Sequence, residues 1–211
     1  MSTEGPAFAL REGTDSARPP LVLLHGSDGT ERDLLPLAED VAPGAPQLGV
    51  RGTVTMDGGY GFFRRFPDRT IDGADLAERI PVLAQFVRET CSHRWPGRRP
   101  LVLGYSNGAI MGAALLMADP TVLAGAVLLR PMRLPVSAPE LRIDGFPVLV
   151  VDGELDERRS PGDGLALADQ LRGLGADVTH RVLPVAHAVT DADRVIMREW
   201  LQRSNLRDTP R

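Results

Sequence analysis

A chain of 211 residues, 43% hydrophobic and 25% charged, can bury a substantial core and is sized for one domain. A net charge of −4 offers no basic field for nucleic acid or an acidic membrane surface. Every cationic position is arginine, which excludes a Schiff-base lysine and a phosphate-loop lysine, and the single Cys91 excludes an internal disulfide or a cysteine-rich zinc site.

The opening stretch MSTEGPAFALREGTDSARPP has no basic start leading into an apolar core, so no signal peptide is expected. The first strand candidate is Leu21–Leu24, bounded by Pro20 and Gly26. A helix is predicted over Glu31–Val41, with Thr30 as its N-cap and Asp33 three residues on. Gln47–Arg51 is a weaker strand. Ala74–Thr90 has helical character, with Pro81 as either a kink or the first turn of a second half. Leu101–Leu103 is a strand, and Asn107–Ala118, rich in Ala, Leu and Met, a helix. Val122–Leu129 and the β-branched Pro147–Val151 are further strands. Leu165–Gly173 is a helix stopped by glycine, Val178–Leu183 alternates like an edge strand, and Asp191–Arg203 carries an apolar face at helical spacing. No run approaches the roughly 18–20 apolar residues that span a bilayer, so a cytoplasmic protein is expected. Continuous apolar strands alternating with helices predict a mostly parallel central sheet flanked by helices on both faces, in the α/β class.

Open parallel sheets bind ligands beyond the carboxyl ends of their strands. The residues just past the apolar runs are therefore the candidates: His25-Gly26-Ser27-Asp28-Gly29, Gly104-Tyr105-Ser106-Asn107-Gly108, Asp152-Gly153-Glu154-Leu155-Asp156, and Pro184-Val185-Ala186-His187. They bring a serine, acids and a histidine to one sheet edge, in the order Ser106, Asp156, His187 expected of a nucleophile-elbow hydrolase. A serine hydroxyl needs a base to take its proton, and a carboxylate behind the base fixes its tautomer. Small flanking glycines allow the tight turn that lifts the hydroxyl. Asp156 is chosen as the acid because its loop position can reach His187, with Asp152 second. Of four histidines, His25 more plausibly orients its own turn, His93 lies in the surface-like SHRWPGRR, and His180 sits within a strand. The oxyanion donors expected are the backbone N–H groups of Asn107 and Ser27.

These residues resemble the phospholipase/carboxylesterase family of α/β-hydrolases, closest to its small bacterial hydroquinone-resistance-type members. The likeness runs from LVLLHGSDGTERDLLPLA through VRG, GFFRRFPD, LGYSNGA and AGAVLLRPM to the His187 segment. It implies a single α/β-hydrolase domain over 1–211, of which the sequence itself marks about 1–5 and 204–211 as flexible ends. It also implies Ser106 as nucleophile, Asp156 as acid, His187 as base, and Ser27 and Asn107 at the oxyanion hole, with no metal and no organic cofactor. The chain departs from the family where the histidine is flanked by Ala186 and Ala188. It departs again in the acid loop, where the family often has an apolar pair and a proline after the aspartate and this chain reads GELDERRSP, with two arginines in that stretch.

The short Leu129–Pro147 connection leaves no room for a helical lid, so an open site and soluble acyl or aryl esters are expected. Phe62, Phe63, Arg130 and Met132 are the candidate substrate-binding residues: the aromatics as an apolar wall, Arg130 (with Arg64 and Arg65) for a substrate carboxylate, Met132 as lining. The expected activity is a serine carboxylesterase acting on a small-molecule ester. Alternatives are a lysophospholipase or acyl thioesterase with the same triad, or an idle ligand-binding scaffold.

Overall fold

The strands that read as uninterrupted apolar runs do so because both their faces are covered. A computed structural model describes residues 5–68, 70–135 and 141–203, so the ends expected to be loose lie, but for Gly5, outside the described residues. In chain order the elements are β1 (Phe8–Arg11), β2 (Leu21–Leu24), α1 (Leu35–Val41), β3 (Gln47–Val50), β4 (Val54–Thr55), β5 (Tyr60–Gly61), α2 (Gly73–Arg94), β6 (Leu101–Tyr105), α3 (Asn107–Ala118), β7 (Gly125–Leu129), β8 (Pro147–Gly153), α4 (Asp163–Gly173), β9 (Asp177–Leu183) and α5 (Asp191–Arg203). Seven strands form one sheet in the order β1-β3-β2-β6-β7-β8-β9, and β4 and β5 form a separate small hairpin. β1 runs antiparallel to β3, and every other neighbouring pair in the large sheet is parallel.

The pleat sorts alternate residues to opposite sides. Val22, Leu24, Val102, Leu128, Val148 and Val150 join the cluster built with α2, α3 and α4. Leu21, Leu23, Leu101, Leu103, Val127, Leu129, Leu149 and Val151 join the cluster with α1 and α5. The two cores on either side make the mostly parallel α/β arrangement expected.

Several boundaries differ from the sequence expectation. β1 was not foreseen, because FALR is short and half exposed and its pairing with β3 is long-range. The first helix begins at Leu35 rather than Glu31: Thr30 Oγ1 donates to Asp33 Oδ1 at 2.6 Å and Thr30 N to Asp33 Oδ2 at 3.1 Å, a local turn that replaces the expected cap. α2 runs unbroken through Pro81, which faces solvent with Ala77, so the carbonyl that loses its donor there can meet water. Its N-cap is Asp72, accepting from Asp75 N. The segment before β7 is a 3-10 turn over Pro120–Val122. In the connection from β7 to β8, residues 136–140 lie outside the described residues and the described remainder is irregular.

The chain runs from β2 outward to β3 and then returns to β6 on the other side of β2. That reversal makes the crevice between the carboxyl ends of β2 and β6 the topological switch point. Register aligns Leu24 with Gly104, Tyr105 with Leu129, and Leu129 with Val151, so the loops after these strands emerge at one edge.

The junction at this edge tolerates little extra volume. A Cβ on Gly108 would lie 2.0 Å from the Leu24 carbonyl oxygen, and one on Gly104 2.5 Å from the Gly108 oxygen. Gly173, at the end of α4, faces open space. Gly108→Ala is therefore expected to lower unfolding free energy by several kcal/mol, with Gly173→Ala within about 1 kcal/mol of the parent, measured by urea unfolding.

Candidate active site

Ser106 stands at the turn from β6 into α3 with φ 53° and ψ −107°, a positive φ that a non-glycine residue rarely adopts. Backbone bonds pin both sides of it: Ser106 N donates to Leu129 O at 2.9 Å, and Ile110 N donates to Ser106 O at 3.2 Å. A sharp strand-to-helix turn of this kind presents the hydroxyl at the top of the sheet.

His187 Nε2 lies 2.9 Å from Ser106 Oγ, and His187 Nδ1 lies 2.7 Å from Asp156 Oδ2. All three residues are buried. With Asp156 ionised, the consistent proton arrangement is Nδ1–H donating to the carboxylate and Ser106 O–H donating to Nε2. Burial lowers the pKa of His187 and outweighs Asp156, whose hydrogen bond and charge raise it. The imidazole is thereby kept neutral and able to accept a proton. The second Asp156 oxygen accepts from Arg158 N at 2.9 Å. Asp152, the alternative acid, is engaged elsewhere: its Oδ2 lies 2.6 Å from His180 Nε2.

Asn107 is the first residue of α3, where a backbone N–H has no intrahelical acceptor. The His25–Gly29 turn packs against the same spot, since a Cβ on Gly26 would lie 3.6 Å from Ser106 Cβ. The turn that carries Ser27 thus packs beside Ser106, next to the start of α3. The buried His25 ring braces this turn: Gly52 N donates to Nε2 at 2.9 Å, leaving Nδ1–H to donate to Gly26 O at 2.6 Å. Burial also lowers its pKa. The Asn107 side chain does more than the sequence suggested: its Oδ1 accepts from Phe62 N at 2.7 Å, tying the loop after β5 to α3.

Three of the four expected substrate-binding residues, Phe62, Phe63 and Arg130, are buried in the interior. Phe63 is fully buried, and Phe62, 4% exposed, packs 4.7 Å centroid to centroid on the His25 ring. A small cavity that Phe62 helps line, with Met111, Leu83 and Arg79, includes none of Ser106, Asp156 and His187. Apolar rings beside an adjacent core found more area to bury there than at the rim. Met132 is partly buried against the core, and its Sδ accepts from Arg65. Arg64 pairs with Asp75.

Arg130 is the clearest correction, because its guanidinium is 0% exposed and cannot reach a substrate. It forms a bidentate pair with the equally buried Asp193, Nη1 to Oδ1 at 2.8 Å and Nη2 to Oδ2 at 2.9 Å. The remaining donors go to Ala186 O from Nε, Val151 O from Nη1 and Ala188 O from Nη2. All five guanidinium hydrogens are used, the condition under which a buried charge is tolerated. Ala186 and Ala188 flank His187, so this arginine grips the His187 loop on both sides. Asp193 Oδ2 also accepts from Thr190 N and Thr190 Oγ1, joining the grip to the start of α5.

The residue that sequence reasoning did not assign is Arg159. Its Nη2 donates to Ser106 Oγ at 2.9 Å. The legible signal was the two arginines in GELDERRSP, a stretch where the family often has an apolar pair.

A serine on a positive-φ strand-to-helix turn, with an aspartate and a histidine from later strand ends in hydrogen-bond sequence, defines an α/β-hydrolase. The chain is 36% identical over 186 residues to "Putative hydrolase MhqD" of Bacillus subtilis (strain 168), covering 87% of this chain and 92% of that protein. The crystal structure of the Bacillus cereus carboxylesterase matches it with a TM-score of 0.87 at 33% identity over 94% of each chain. That of a carboxylesterase from Mesorhizobium loti matches with a TM-score of 0.86 at 30% identity, over 93% of this chain and 94% of that one. No protein-family model matches the chain. The chain belongs to the phospholipase/carboxylesterase family of α/β-hydrolases and is a carboxylic ester hydrolase. Among the described residues no helix is long and apolar enough to cross a membrane.

Removing one partner of a buried ion pair strands the other charge. Asp193→Asn should therefore cost about 3–5 kcal/mol of stability. Differential scanning calorimetry should report that loss as a clear fall in Tm. The double replacement Arg130→Met with Asp193→Leu should recover part of the loss, since no charge is then left buried.

Proposed function

We propose that the protein is a serine carboxylesterase that cleaves small to medium acyl or aryl esters through an acyl-enzyme. The observation that carries this reading is the unbroken chain of contacts from Asp156 through His187 to the Ser106 hydroxyl. Ser106 Oγ attacks the ester carbonyl carbon while His187 Nε2 takes its proton. The carbonyl oxygen becomes the oxyanion, received by the backbone N–H groups of Asn107 and Ser27. As the tetrahedral intermediate collapses, the carbon–oxygen bond to the alcohol breaks and His187 returns the proton to the departing alcohol. Water then attacks the acyl-enzyme with His187 again as base. The acid is released, Ser106 regains its hydrogen, and the net change is ester plus water to acid plus alcohol. Asp156 holds the imidazole in the Nδ1–H tautomer and stabilises the imidazolium that forms twice per turnover.

Ser106→Ala is expected to abolish labelling by a fluorophosphonate probe and to cut p-nitrophenyl butyrate turnover by three orders of magnitude or more. A chain-length series of p-nitrophenyl esters should peak at short to medium acyl groups; a sharp optimum at long chains would favour a lysophospholipase. Undiminished turnover by the alanine variant would refute the reading.

The base must be neutral to act. Because burial holds the His187 pKa below the ordinary histidine value of 6.5, kcat/KM should be full at neutral pH. It should fall as pH drops through the lowered pKa, giving an acid limb with its midpoint under 6.5 in a pH–rate profile.

A further inference from the structure

Arg159 is a cation held against the hydroxyl of Ser106 and paired with no carboxylate. Its Nη2 donates to Ser106 Oγ at 2.9 Å. Its other contacts are backbone oxygens: Nε reaches Arg130 O at 2.8 Å and Pro131 O at 3.1 Å, and Nη1 reaches Arg158 O at 3.1 Å. These carbonyls fix the plane of the guanidinium and aim it, but they do not neutralise it. Among the described residues no Asp or Glu forms an ion pair with it, whereas Arg51, Arg79 and Arg130 each hold a carboxylate. Asp156, three residues before it, has its two oxygens on His187 and on Arg158 N. The charge is partly taken from water, and burial presses the Arg159 pKa down against the longer-range attraction of Asp156, Asp163 and Asp152. A cation brought into a site at such cost, with its donors oriented and no carboxylate in direct contact, fits an anion that arrives with the substrate.

We propose that Arg159 forms a carboxylate subsite and that the enzyme acts on esters bearing a free carboxylate, foremost monoesters of short dicarboxylic acids. This rests on the serine-esterase reading above and names its substrate class. At rest the guanidinium donates to Oγ. On binding, the substrate carboxylate takes the Nη2 donor, which leaves both Oγ lone pairs free and brings the ester carbonyl over the serine. Because Nη2 already touches Oγ, the anionic group must lie close to the reacting carbonyl. An acyl chain with its carboxylate two or three methylenes from the ester fits, and a long chain with a distant charge does not. The chemistry is otherwise unchanged: a monoester plus water gives the dicarboxylate and the alcohol.

The test compares two esters of matched length, monomethyl glutarate and methyl pentanoate, by pH-stat in the wild type, Arg159→Gln and Arg159→Lys. Wild type should prefer the glutarate monoester by tenfold or more in kcat/KM. Arg159→Gln should reduce that preference at least tenfold, through KM more than kcat, and Arg159→Lys should retain part of it. A wild-type ratio near or below one would overturn the proposal. So would an Arg159→Gln variant that slows both esters by the same factor, which is what a purely structural role predicts. A calorimetric titration of glutarate into the Ser106→Ala variant separates this from the esterase reading. Saturable binding that disappears when Arg159→Gln is added supports the subsite even if neither ester is hydrolysed, and absence of binding refutes it. Failure of the esterase reading is seen separately, as absent fluorophosphonate labelling of wild-type Ser106.

Discussion

The site depends on one backbone constraint, the left-handed conformation of Ser106 between β6 and α3. An L-residue at φ 53° is strained, and it persists only where its surroundings leave no alternative. Here they do so from three directions. The β7 backbone holds Ser106 N, the first turn of α3 holds Ser106 O, and α3 sits so close to β2 that only glycine fits at 108. The same close approach sets the His25–Gly29 turn beside Ser106. The two apolar cores supply the free energy that keeps this junction closed, since α3 is buried along almost its whole length.

Two arginines show how differently the fold uses the same side chain. Arg130 is wholly buried, pairs with Asp193 and spends every donor on fixed acceptors. Its grip on Ala186 and Ala188 turns an irregular loop into a rigid mount for His187, which short connections seldom provide on their own. Arg159 shares the planar, oriented head but has no carboxylate at its end. The two are linked, because Arg159 Nε donates to the carbonyl of Arg130. The residue that fastens the His187 loop thus also aims the cation beside the serine.

Much of this was readable before any coordinates. The central strands were legible because burial on both faces demands uninterrupted apolar runs, and the polar residues after each run marked the functional edge. β1 was not legible, since a four-residue edge strand owes its existence to pairing with β3 rather than to its own composition. The start of α1 was misplaced because Thr30 and Asp33 satisfy each other in a turn as readily as they would cap a helix. Phe62 and Phe63 were read as a pocket wall, but nothing local distinguishes an aromatic that lines a site from one that packs beneath it.

The periodic burial of the strands and helices, the glycine-flanked serine, and the order of serine, acid and histidine are written in the chain itself. These are local patterns, and local sterics and hydrophobic spacing are enough to express them. Which acid meets His187 is set by the folded packing, which gives Asp156 to His187 and Asp152 to His180. The same packing decides that Arg130 holds the loop while Arg159 faces the serine. The destination of a charge depends on which carboxylates and carbonyls distant segments bring within about 3 Å, and no local pattern encodes that meeting.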